Sequence, residues 1–202
     1  MNNPAKANIF NLANLITLSR IFLVIPLIFM LHNLFDNPVL ENARKLVFIL
    51  AAIVMTDVLD GYVARKMHVI SNFGKLLDPI ADKICLMVVI TFLIFQGGSE
   101  NHDNVQGLAM LLFFILLSIR DVYIIIIGVY LAHVQKVIFQ ANKSGKYFMA
   151  ATVLMMSSFV FKAVLSIPDI LCWFFYIISL ILMVASGVEY HYRYIKYFNR
   201  IK

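Results

Sequence analysis

Apolar runs long enough to cross a bilayer recur along this chain, and nothing else in the sequence constrains its folding as strongly. They fall at about 12–32, 45–64, 79–97, 107–131, 148–166 and 170–190. The hydrocarbon core of a bilayer takes ~20 residues of helix. Lipid offers no partner to a backbone N–H or C=O, so a segment at that depth must satisfy its own hydrogen bonds and is helical. The pattern predicts an all-α integral membrane bundle of six transmembrane helices. Residues 1–202 read as a single domain, without a linker, a low-complexity tract or a repeat. The polar, turn-forming stretch Gly97–Asn104, free of Lys and Arg, is the clearest break.

Composition agrees. The chain has 202 residues, 62% hydrophobic and 14% charged, where soluble domains carry about a quarter charged residues. A soluble core of this size could not hide so much apolar surface. The net charge of +6 does not point to nucleic acid. The basic residues gather at the ends of apolar runs and form no patch with interleaved aromatics, which fits topology and anionic headgroups. Cys85 and Cys172 both lie inside apolar runs and read as small buried hydrophobes rather than a disulfide framework. The first apolar run is too long for the core of a cleavable signal peptide and lacks a small-residue cleavage site.

Lys and Arg placement sets the expected orientation. With the N-terminus inside, one side carries Lys6, Arg20, Arg65, Lys66, Lys75, Lys83, Lys136, Lys143, Lys146, Arg193, Lys196, Arg200 and Lys202. The other carries only Arg44, Lys45 and Lys162. Both termini are therefore expected in the cytoplasm, with the tail His191–Phe198 as an aromatic and basic interfacial anchor.

Four aspartates interrupt the second and third segments: Asp57, Asp60, Asp78 and Asp82. A carboxylate at depth costs several kcal/mol, about 3 on insertion scales, and is a functional candidate by default. Asp57 and Asp60 are i and i+3, and Asp78 and Asp82 are i and i+4, so each pair shares a helix face. A short basic loop joins the two helices, so the acidic faces can meet at one depth. Carboxylates that close cannot all stay ionised without positive charge, and Arg65 alone is too little. Hard divalent cations with oxygen ligands are the natural compensation, and Mg²⁺ bridges carboxylates to phosphates. Two such metals suit displacement at phosphorus. The alternative is a set of helix-end carboxylates paired with Arg65, Lys66, Lys75 and Lys83.

The stretch Asp57-Val58-Leu59-Asp60-Gly61-Tyr62-Val63-Ala64-Arg65, followed by Gly74, Asp78 and Asp82 without an insertion, resembles the signature of the CDP-alcohol phosphatidyltransferase family. The start, Asn11 to Arg20 with Pro26 beyond, is similar to bacterial phosphatidylglycerophosphate synthases and to cardiolipin synthases of that family. The resemblance is close over the first half and looser over the second. It implies six transmembrane helices, a homodimer, two divalent cations (Mg²⁺ or Mn²⁺), and a cytoplasmic active site in the cell membrane. By position, it implies that Asp57, Asp60, Asp78 and Asp82 bind metal and that Asp82 doubles as general base. Asn14, Leu15, Ile16, Thr17, Gly61, Ala64, Arg65, Ser71 and Gly74 would line the CDP-lipid site. Gly61 would let the nucleotide approach the helix backbone. A carboxylate beside like charges can be raised in pKa toward the range a general base needs.

The acceptor side is read from other residues. Arg120 and Asp121 lie deep in the fourth segment. Helix neighbours point about 100° apart, so they are expected to be poor partners for each other. Arg120 is expected to face a polar cavity and an acceptor phosphate, with an ion pair to another helix as the rival. Lys143 and Lys146 either join it or set topology. Glu189 and Lys162 read as helix-end residues. Phosphatidylglycerophosphate synthases usually carry a second Arg eight residues after the first, where this chain has Gly128. They also carry Lys-Thr where Phe148 and Met149 stand. Arg120-Asp121 with Tyr130 beyond looks more like the cardiolipin synthases. The expected reaction joins CDP-diacylglycerol to a small phosphate-bearing alcohol, first glycerol 3-phosphate, releasing CMP; phosphatidylglycerol is the alternative acceptor. A divalent-cation transporter would need polar residues through both halves of the membrane, whereas these carboxylates gather near one face.

Overall fold

The computed structural model describes residues 12–67, 72–96, 105–134 and 143–201. Their regular structure is helical throughout: α1 (Leu12–Asp36), α2 (Leu40–Met67), α3 (Asn72–Gln96), α4 (Val105–Val134), α5 (Lys143–Val160), the single turn α6 (Lys162–Leu165) and α7 (Asp169–Ile201). No strand occurs among the described residues. The helices run past the apolar stretches that announce them, α2 by five residues at its start and α7 by eleven at its end. A helix already formed extends by one hydrogen bond per residue fixed, so polar residues at its ends join it at little cost.

Among the described residues, two helices are long and apolar enough to cross a membrane. One is Val105–Gly128 of α4, 24 residues with mean hydropathy 2.4, and the other is Asp169–Ile195 of α7, 27 residues with mean hydropathy 2.3. The apolar stretches Ile21–Asp36 and Lys83–Phe95 are shorter. Phe22, Phe29, Phe48, Ile119, Ile126, Ile170 and Ile181 are each at least 60% exposed. Large apolar side chains turned outward at this density need an apolar solvent around the helices.

The chain divides into two compact units, Met1–Phe92 and Leu93–Lys202. In the first, α1 and α2 form an antiparallel hairpin. Val24, Leu27, Leu31 and Leu34 of α1 are buried, and their alternating spacing of three and four is that of a coiled-coil seam. Ala43 and Leu46 of α2 are buried with them. The turn is held by Asn42, whose Nδ2 donates to the carbonyls of Asn33 (3.1 Å) and Asn37 (2.9 Å). Both carbonyls also accept from the backbone, Asn33 from the Asn37 N–H and Asn37 from the Val39 N–H, so Asn42 adds a second donor to each and ties the first turn of α2 to the end of α1. Phe35 of α1 stacks on Phe92 of α3, with ring centroids 6.3 Å apart.

The second unit is built on α5 against α7. Cys172, Tyr176, Ser179, Met183 and Ser186 are buried along α7 at spacings of four, three, four and three. Small and hydroxyl-bearing residues on such a seam let helices approach closely and hydrogen-bond across it. Thr152 of α5 donates to the Phe148 carbonyl at 2.9 Å, and its Oγ1 lies 3.0 Å from the Ser179 hydroxyl. Thr152 has one proton and uses it on the carbonyl, so Ser179 is the donor to Thr152. Tyr176 ties α7 to α4 by donating to the Ala109 carbonyl at 2.8 Å.

The expected segment 148–166 is interrupted. α5 ends at Val160, and Ser166 closes α6 in the left-handed region at φ 49°. The Ile167 N–H returns to the Lys162 carbonyl at 3.1 Å, capping the turn. Pro168 cannot extend a helix backwards, and Lys162 pairs with Asp169 across the break.

Candidate active site

The unbroken α2 carries Asp57 and Asp60, and the unbroken α3 carries Asp78 and Asp82, so the predicted i,i+3 and i,i+4 registers stand on continuous helix. Asp60 lies seven residues before the end of α2 and Asp78 six after the start of α3, which is about 10 Å and about 9 Å along each helix axis. The two pairs thus flank the α2–α3 connection at similar distances from it. Gly61, Ala64 and Arg65 follow on α2, Gly74 lies near the start of α3, and Asn14, Leu15, Ile16 and Thr17 are in the first turns of α1. The side chains at these positions, the four carboxylates included, lie outside the described residues. Ser71 lies outside them altogether. Among the described residues no group of three metal-ligating side chains occurs.

The second unit contains a described polar centre, and it surrounds Arg120. The Nη1 of Arg120 donates to Asp121 Oδ1 at 2.8 Å, and Nη2 donates to the Ser186 hydroxyl of α7 at 2.6 Å. The guanidinium carbon lies 4.8 Å from the centroid of the Phe148 ring and 5.9 Å from that of Tyr190. The Arg120 side chain is 15% exposed and that of Asp121 19%. Arg120 Nε is buried with no hydrogen-bond partner among the described residues.

The pairing of Arg120 with Asp121 corrects the sequence expectation. A separation of 100° around the helix describes where side chains start, not where they end. Arginine's long flexible stem curls its guanidinium back to the neighbouring carboxylate, which neutralises a cation in surroundings that penalise an unpaired charge. No cross-helix carboxylate is needed for this, and the link to another helix is a neutral hydroxyl. Sequence reasoning missed Ser186, Tyr190 and Phe148 as parts of this centre. The available signal was Ser186 seven residues after Ser179, two hydroxyls on one stripe of an apolar helix.

Lys146 is exposed on α5, and the side chain of Lys143, at its first position, lies outside the described residues. At Gly128 a Cβ would meet nothing within 4 Å. Glu189 pairs with Arg193 one turn on, at 3.1 Å. Tyr123 hydrogen-bonds the His191 ring, so α4 and α7 are linked again beyond Arg120.

Residues 10–186 match the family model for CDP-alcohol phosphatidyltransferases. The chain belongs to that family. The matched region contains the four aspartates, Arg120, Lys143 and Lys146, and ends on Ser186. Among relatives, the chain is similar to proteins named CDP-diacylglycerol–glycerol-3-phosphate 3-phosphatidyltransferase. That of Aquifex aeolicus is 32% identical over 185 residues, 89% of this chain and 93% of the relative. That of Rickettsia typhi is 40% identical over 101 residues, 50% of this chain and 53% of the relative. That of Bacillus subtilis is 39% identical over 95 residues, 42% of this chain and 48% of the relative. The chain thus spans about half the length of the Rickettsia and Bacillus relatives and nearly all of the Aquifex one. The family membership is what the Asp57–Asp82 signature implied.

Proposed function

We propose that this membrane protein transfers the phosphatidyl group of CDP-diacylglycerol to glycerol 3-phosphate, releasing CMP. The observation that carries the reading is the near full-length match to the Aquifex relative and that relative's name. The aspartate signature on α2 and α3 supports the same chemistry.

The donor set of the four aspartates is all oxygen and anionic, and both pairs hold helical register. This fits hard divalent cations, two Mg²⁺ or Mn²⁺, held by Asp57, Asp60, Asp78 and Asp82. When bound, they would neutralise the pyrophosphate and the charge that develops during phosphoryl transfer. Asp82 takes the proton of the acceptor hydroxyl. That oxygen bonds to the β-phosphorus, the bond from the β-phosphorus to the bridging oxygen breaks, and CMP leaves with the bridging oxygen. Arg65 pairs with the pyrophosphate. Gly61, Ala64 and Gly74, with Asn14 to Thr17 and Ser71, line the CDP-lipid site. Arg120, with Lys143 and Lys146, binds the acceptor's phosphate through charge-assisted hydrogen bonds.

We read the chain as one domain of six membrane spans, with both termini and the active site on the cytoplasmic side of the cell membrane, and as a homodimer. The thirteen-to-three distribution of Lys and Arg supports the orientation. The family match, running from the first unit into the second, supports the single domain. A second reading, cardiolipin synthesis with phosphatidylglycerol as acceptor, is favoured by one observation: the residue over Arg120 is apolar Phe148.

The test is transfer of label. Glycerol 3-phosphate carrying a radiolabel should enter an organic-soluble lipid only when protein, CDP-diacylglycerol and Mg²⁺ are all present. Label that stays in the aqueous phase under those conditions overturns the proposal.

A further inference from the structure

The Arg120 centre contains two anchors of different kinds. Asp121 is the next residue on α4, so its hydrogen bond to Nη1 is made within one helix. Ser186 lies 66 positions away on α7, is fully buried, and accepts from Nη2 at 2.6 Å. The rings of Phe148 and Tyr190 attract the cation. A ring contact of that kind has little directional preference within the guanidinium plane. A hydrogen bond does have one, and it weakens steeply when bent. The guanidinium has five N–H donors. With one given to Asp121 and one to Ser186, three remain, Nε–H among them, and Nε has no partner among the described residues.

We propose that Ser186 is a positioning residue of the enzyme: its hydroxyl sets the direction of the Arg120 guanidinium, so that the remaining N–H donors are aimed at the anionic group of the acceptor substrate. The proposal rests on Arg120 as the acceptor's phosphate ligand. Asp121 has a separate task, which is to neutralise Arg120 in apolar surroundings. The serine contributes no charge and little volume. Its removal therefore releases the guanidinium without unpairing it from Asp121 and leaves a gap of one oxygen atom.

The test compares Ser186→Ala, Ser186→Thr, Asp121→Asn and Arg120→Gln in the full-length protein in detergent or nanodiscs. KM is measured separately for glycerol 3-phosphate and for CDP-diacylglycerol, together with Tm. Loss of a hydrogen bond from a charged donor should raise the glycerol 3-phosphate KM of Ser186→Ala about tenfold. Its KM for CDP-diacylglycerol and its Tm should stay close to wild type. Ser186→Thr keeps the hydroxyl and should recover most of the loss. Asp121→Asn should instead lower Tm, because it leaves a cation unpaired. If Arg120→Gln raises the acceptor KM and Ser186→Ala does not, or if Ser186→Ala raises both KM values alike, the positioning role is overturned while the acceptor reading stands. If Arg120→Gln leaves the acceptor KM unchanged, the acceptor reading falls and the positioning role falls with it.

Discussion

The Arg120 guanidinium lies 4.8 Å from the centre of the Phe148 ring, and both side chains are held within the unit formed by α4, α5 and α7. Phe148 is fully buried. A cation over an aromatic face in a desolvated site is worth about 2 kcal/mol. Phe148→Leu keeps apolar bulk and removes the ring, so it should destabilise the protein by about that much. Thermal unfolding in detergent checks it. An unchanged Tm would show that the ring serves only as filler.

The seam between α5 and α7 contains a second measurable pair. Thr152 and Ser179 are both fully buried, with their hydroxyl oxygens 3.0 Å apart. Hydrogen bonds between membrane helices average about 0.6 kcal/mol in double-mutant cycles. A cycle of Thr152→Val and Ser179→Ala should give a coupling of about that size and of stabilising sign. Strict additivity of the two substitutions would contradict the hydrogen bond.

The sequence made some of this legible and hid the rest for physical reasons. Over the described residues, five of the six apolar runs fall on unbroken helices, and such runs are legible as helix because a backbone in an apolar solvent must satisfy its own hydrogen bonds. The sixth, 148–166, hides the break at Phe161 to Ser166, where no glycine marks the left-handed residue; only Pro168 signalled it. The four aspartates stood out because carboxylates are expensive in apolar segments. Arg120 stood out for the same reason, but its partners did not. Helix geometry starts the Asp121 side chain about 100° around from Arg120, and Ser186 is a neutral residue 66 positions away. A hydroxyl on an apolar helix has little signature until the facing helix is known.

Metal dependence follows from the carboxylate quartet. Activity should disappear in excess EDTA and return with Mg²⁺ or Mn²⁺. Turnover that persists at full rate after chelation would remove the two-cation proposal.

The base and the ligands separate by substitution. Asp82→Asn should reduce turnover below about a tenth of wild type, since general-base contributions run from about 100-fold upward. CDP-diacylglycerol binding should largely survive, because three carboxylates remain. Asp57→Asn should weaken both. Equilibrium binding of CDP-diacylglycerol beside steady-state turnover distinguishes them. Asp82→Asn that retains a tenth or more of wild-type turnover cannot have lost the base.

The most direct measurement is CMP release by purified protein given CDP-diacylglycerol and Mg²⁺ with one acceptor at a time: glycerol 3-phosphate, phosphatidylglycerol, serine or an inositol phosphate. Release should be rapid with glycerol 3-phosphate and stay at background with the others. Release with phosphatidylglycerol and none with glycerol 3-phosphate would contradict the proposed function and would make Gly128 and Phe148 the marks of a cardiolipin synthase.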